Sequence, residues 1–223
     1  GLAVPGMARL PSGARMPDQN VNPALDRLFR AYGSYLRDAS KDTLFQLLNA
    51  LHSLDDRLVP DHGRLFFGVP EYLALKALRN LQHHNVEVKY VVVPKRLPGI
   101  LLSTDLASVC LISVADREAA VQGVETKKPA FRDKDREAFE QTTLQYGNVV
   151  DINPCIFNCI VRMFEILRDL GLESENEDYS LLTKSYEFEE AHGHSHFVSG
   201  RISVHLADIS ALIHWMNAQY LAG

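Results

Sequence analysis

Leu44, Leu47, Leu48, Leu51, Leu54 and Leu58 return every three to four residues, and a helix is the regular structure that gathers such a series on one side. A leucine stripe this wide has to be buried, so the chain needs further helices to cover it. The residues upstream supply one. Asn22-Pro23 reads as an N-cap followed by proline at the first helical position, and Leu25, Leu28, Phe29, Tyr32 and Leu36 then recur at the same period. Ser40-Lys41-Asp42 breaks the two series and Pro60 is expected to stop the second, which predicts a long or kinked helical hairpin.

After Gly68-Val69-Pro70, Ala74, Ala77, Leu78 and Leu81 predict a third helix from Glu71 to about His84. The pattern then changes. Val86 to Val93, Ile100 to Ser103 and Val109 to Val114 are β-branched runs separated by Pro94 and Pro98-Gly99, which predicts a small antiparallel sheet or long hairpin. Asp133 to Gln145 reads as a solvated helix, and Asn153-Pro154 starts a helix whose stripe (Ile156, Cys159, Ile160, Met163, Phe164, Leu167 and Leu170) ends at Gly171. Glu173 to Asp178 reads as an acidic connector, and a last helix from about Ser199 to Leu221 is expected to place Ile202, Leu206, Ile209, Leu212, Ile213 and Met216 on its buried side. The fold class is therefore mainly α, a helical bundle with a small β insertion over about residues 86–114. Residues 1–20 lack periodicity and are set apart as a disordered or added tail, with Met7 or Met16 as possible starts, leaving 21–223 as a single domain.

Charge narrows the function. Lys and Arg total 23 against 28 Asp and Glu, a formal net charge of −5, which argues against coating duplex DNA or an anionic membrane through bulk charge. No apolar run approaches a membrane span and no signal peptide opens the chain, so a cytoplasmic protein is expected. Cys110, Cys155 and Cys159 form no C-x-x-C pair and read as reduced core residues. Walker A, G-x-G-x-x-G, G-x-S-x-G and H-E-x-x-H patterns are absent, and no cofactor is expected.

The third helix ends in Arg79-Asn80-Leu81-Gln82-His83-His84. This resembles the R-x(4–6)-H signature of the HEPN superfamily, whose common form has Asn, Asp or His after the arginine. The resemblance covers about one helix. It implies a helical bundle, often a homodimer with two motifs facing one cleft, and metal-independent RNase activity as in toxins and defence factors, with an inhibitory protein partner possible. Arg79, Asn80 and His84 inherit the family's positions. The chemistry agrees, since histidine exchanges protons near neutral pH and arginine holds a planar, permanent charge against phosphoryl oxygens. Attack by a 2′-hydroxyl makes RNA the substrate. On a helix Arg79 shares a face with His83 and Asn80 with His84, so His83 stands as the alternative histidine.

The rival reading is a polar helix end on a non-catalytic regulatory or binding protein. Convergence of Arg79, Asn80 and His84 in an open cleft separates the two. Arg57 to His62 repeats the spacing and is set aside because Pro60 interrupts it. Lys89, Lys95 and Arg96, with Lys127 and Lys128 beyond, form a candidate RNA-binding patch. His192, His194 and His196 are weak metal-ligand candidates, equally explained as a glycine-containing surface loop. His52, His205 and His214 read as satisfied or surface helical residues.

Overall fold

Helices α1 (Val21–Arg37) and α2 (Lys41–His62) form the expected hairpin in the computed structural model, which describes residues 21–84, 87–123 and 127–223. The segment 1–20 and the Val86 start of the first strand lie outside the described residues. Ser40 caps α2 by accepting from the Thr43 amide, while Thr43 Oγ1 accepts from the Ser40 amide. Leu44, Leu47, Leu54 and Leu58 are fully buried, as the stripe requires. Pro60 does not stop α2. It sits in the last turn, and the helix closes only at Gly63, whose amide donates to Val59. After a 3₁₀ turn at Leu65–Gly68, α3 (Pro70–His83) starts with proline in its first turn and buries Tyr72, Ala74, Leu75, Ala77, Leu78 and Leu81.

The chain continues through β1 (Val91–Pro94), β2 (Ser103–Thr104), β3 (Ser108–Ser113), α4 (Val114–Gln122), α5 (Pro129–Thr142), β4 (Leu144–Tyr146), β5 (Val149–Asp151), α6 (Asn153–Asp169), α7 (Glu177–His192), β6 (Ile202–Ser203) and α8 (Ile209–Ala222). The main sheet is antiparallel with order β1-β3-β5-β4, so the strands from the expected insertion are completed by two short strands more than thirty residues downstream. Central β3 shows period-two sorting. Cys110 and Ile112 face the helical core, whereas Val109 and Leu111 join Val149, Leu212 and Met216 in a second cluster under α8.

Three expectations shift. A helix, α7, begins inside the acidic connector and runs to His192; only Tyr179 is buried on it, so no apolar stripe announced it. The last helix starts at Ile209, because Ile202–Ser203 pairs with Ser103–Thr104 instead; Leu206 is 85% exposed. The charged helix lies three to four residues earlier than read, opened by Pro129. Between β6 and α6 the backbone passes so close that a Cβ on Gly200, which has φ +65°, would sit 2.0 Å from Pro154 Cγ. No described helix is long and apolar enough to cross a membrane.

Candidate functional site

Helix α3 has α2 on one side and α4 and α5 on another, and each side leaves a cleft. The residues of the Arg79–His84 segment divide between them. Asn80 and His84 line a cleft of about 840 Å³ against α4 and α5, with Lys76, Lys127 and Phe131. Arg79 projects the other way, into a cleft of about 530 Å³ against α2, where its Nε lies 3.4 Å from Asn49 Oδ1. His83 is exposed and lines neither, its ring 6.1 Å from that of His84. One helix cannot aim positions 79 and 84 into one cleft while α3 remains regular to His83.

The α3–α5 cleft is the larger, and two of its four lining Lys and Arg side chains are already paired. Lys76 pairs with buried Asp55 at 3.3 Å, and Lys127 is held by Asp135 at 2.5 Å and by the carbonyls of Ala120 and Val121. Phe67, Leu73, Ala77 and Leu81 make much of the remaining lining apolar.

The α2–α3 cleft gathers complementary groups. His52 Nδ1 lies 3.0 Å from Asp56 Oδ2, one helical turn on, and Arg57, Ser53 and Arg79 share the lining. A carboxylate only accepts, so the neutral imidazole carries its proton on Nδ1 and leaves Nε2 as the basic nitrogen. Partial burial lowers the His52 pKa; Asp56 works against this, and the Arg79 and Lys76 charges lower it further. The ring is therefore largely neutral at pH 7, as a proton acceptor needs to be. Sequence reasoning gave His52 no role. The i, i+4 spacing of His52 and Asp56 was its one visible signal, and the arginine that completes the group arrives by packing of α3 on α2.

The other candidate residues scatter. Lys95 is 5% exposed and donates to Thr104 Oγ1 and to the Gly200 carbonyl, both at 3.1 Å, so it is a structural tie and not a surface contact for RNA. Lys89 lies over the Tyr220 ring and Arg96 is exposed, so the three form no common patch. The histidines at 192–196 are engaged separately: His192 Nδ1 with the Phe188 carbonyl, His196 Nδ1 with Glu189, and the His196 ring stacked on Tyr186 at 3.6 Å. Among the described residues no three His, Cys, Asp or Glu side chains are grouped to hold a metal ion. The cysteines are free and buried, and burial pushes their thiols up, Cys155 to about 12, which removes them as nucleophiles.

Comparison of the chain with protein-family models, with curated proteins and with solved structures finds no match. The site stands on its own geometry.

Proposed function

We propose that this chain is a metal-independent endoribonuclease that works in the α2–α3 cleft, with His52 as general base. The observation that carries the reading is the His52–Asp56 pair opening into the same cleft as Arg79 and Arg57. Two guanidinium groups beside a proton acceptor suit a phosphodiester, and attack by a 2′-hydroxyl makes RNA the substrate; the reading does not rest on the HEPN signature, whose His84 lines the other cleft. Neutral His52 takes the 2′-hydroxyl proton on Nε2 as the 2′-oxygen bonds to phosphorus. The P–O5′ bond breaks, and the leaving oxygen takes a proton from water at the open mouth of the cleft. The products are a 2′,3′-cyclic phosphate and a 5′-hydroxyl end. Arg79 and Arg57 hold the phosphoryl oxygens as charge builds, the part a metal plays elsewhere. Both cation and base come from one protomer, so this site needs no second copy, unlike the dimer the family resemblance implies.

A non-catalytic binding protein is the second reading, favoured by the separation of Arg79 from His84. Purified protein is incubated with a panel of single-stranded and structured RNAs in EDTA, as wild type, His52→Ala, Arg79→Ala and His84→Ala. The expected result is cleavage by wild type and His84→Ala, lost in the other two with folding intact. Absence of cleavage by wild type across the panel moves the conclusion to the binding reading. Loss in His84→Ala alone returns the chemistry to the α3–α5 cleft.

A further inference from the structure

The α2–α3 cleft is one end of a longer groove. A second depression, of about 440 Å³, lies between α1 and α2, and Asn49 and Ser53 line both. On α1 the wall is Arg27, Arg30 and Ser34, spaced at three and four residues so that they stand in one row. On α2 the floor starts at Phe45, which is 50% exposed, and continues to Pro60. Fifteen residues of helix cover about 22 Å. Along that length, among the described residues, Arg27, Arg30, Arg57 and Arg79 face one lining carboxylate, Asp56, and it is engaged by His52. In a chain with a formal net charge of −5, that is a marked local concentration of guanidinium.

We propose that the α1–α2 half of this groove is a guide site for single-stranded RNA, with Arg27 and Arg30 on consecutive phosphates and a base stacked on Phe45. A row of cations beside an exposed aromatic ring is what a strand without base pairing recognises, because charge tracks the backbone and every base offers a π face. A duplex keeps its bases stacked inside and leaves Phe45 nothing to cover. An acidic peptide satisfies the arginines and likewise leaves the ring unused. The site extends the endoribonuclease reading by placing the flank of the strand whose scissile phosphate reaches Arg79, and it shares with that reading only the choice of RNA.

The test uses a labelled 2′-O-methyl oligonucleotide of about ten units, which lacks the attacking hydroxyl and stays intact while binding is measured. Four proteins are compared by anisotropy over a salt series: wild type, Arg27→Ala with Arg30→Ala, Phe45→Ala, and a control with exposed Lys184 and Arg201 changed to Ala. The arginine pair variant is expected to bind about ten-fold or more weakly, with a salt slope shallower by about 1.4, while the control pair matches wild type. Phe45→Ala is expected to lose about five-fold or more at an unchanged slope. Thermal melts verify that all four are folded. The proposal is overturned by a wild type that does not bind at low salt, by an arginine variant that matches the control, or by poly-glutamate displacing the strand as well as RNA does. The expected binding pattern without cleavage of ordinary RNA upholds the guide site and removes the endoribonuclease reading, so the two fail separately.

Discussion

His52 and Asp56 stand one turn apart on α2, with Nδ1 and Oδ2 3.0 Å apart, and the pair faces Arg79 across the α2–α3 cleft. The carboxylate fixes which imidazole nitrogen carries the proton, and the arginine charge helps keep the ring neutral. If the proposed mechanism holds, kcat/KM for RNA cleavage is expected to rise with pH along a limb set by a histidine below its ordinary value of about 6.5. Asp56 raises the His52 pKa, so Asp56→Asn moves that limb to lower pH, with a plateau reduced by about ten-fold as the ring loses its orienting partner. A limb unmoved by this change, measured from pH 4.5 to 8, takes His52 out of the rate-limiting proton transfer.

Arg79 tests the cation in the same way. Its fork suits two phosphoryl oxygens at once, whereas lysine offers a point charge. Arg79→Lys is expected to keep substrate binding within a few-fold and to lower kcat by about 10- to 100-fold, a split that a merely structural arginine does not produce. A fall in melting temperature that accompanies the loss of kcat assigns Arg79 to packing against Asn49.

Much of this fold was readable because its helices carry their burial in one-dimensional form. Leu44 to Leu58 and Ile156 to Leu167 each repeat at the helical period, and both series end up buried. What escaped lacked such a signal. Helix α7 buries Tyr179 alone, and β4 and β5 have three residues each, too few to show alternation. The site divides along the same line. Arg79 and Asn80 were visible as a local word, but a local word does not say which side of a helix meets which neighbour. His52 and Arg79 are far apart in sequence and become partners only through the packing of α3 on α2.

Core packing makes a direct stability prediction. Leu54 is fully buried, and Leu54→Ala removes three carbons from a close-packed interior at a cost of about 2–5 kcal/mol. Leu206, 85% exposed, was expected on the buried side of the last helix; Leu206→Ala is expected to change stability by less than about 0.5 kcal/mol. Urea unfolding of the two variants distinguishes the observed start of α8 from the earlier one, because a helix from Ser199 with Leu206 inward makes both changes costly.

Asp151 carries the pH dependence of folding. It is fully buried; Oδ1 accepts from the amides of Cys110 at 2.9 Å and Asn153 at 3.0 Å, while Oδ2 has no hydrogen-bond partner among the described residues. Burial pushes its pKa up to about 6, against the pull of the two amides and the Lys95 charge. An acid whose folded pKa lies above its unfolded one binds its proton more tightly when folded. Its contribution is therefore complete below about pH 4 and is lost as pH rises through about 6. Wild type is expected to gain about 1 kcal/mol from this group between pH 7 and pH 5. Asp151→Asn keeps an oxygen for the two amides and cannot titrate, so it lacks that gain. The His52 contribution runs the other way, since its lowered pKa disfavours folding as pH falls, but it is common to both proteins and cancels in their difference. Chemical denaturation at pH 5, 6 and 7 measures that difference, and parallel curves for the two proteins show that Asp151 stays ionised in the folded core.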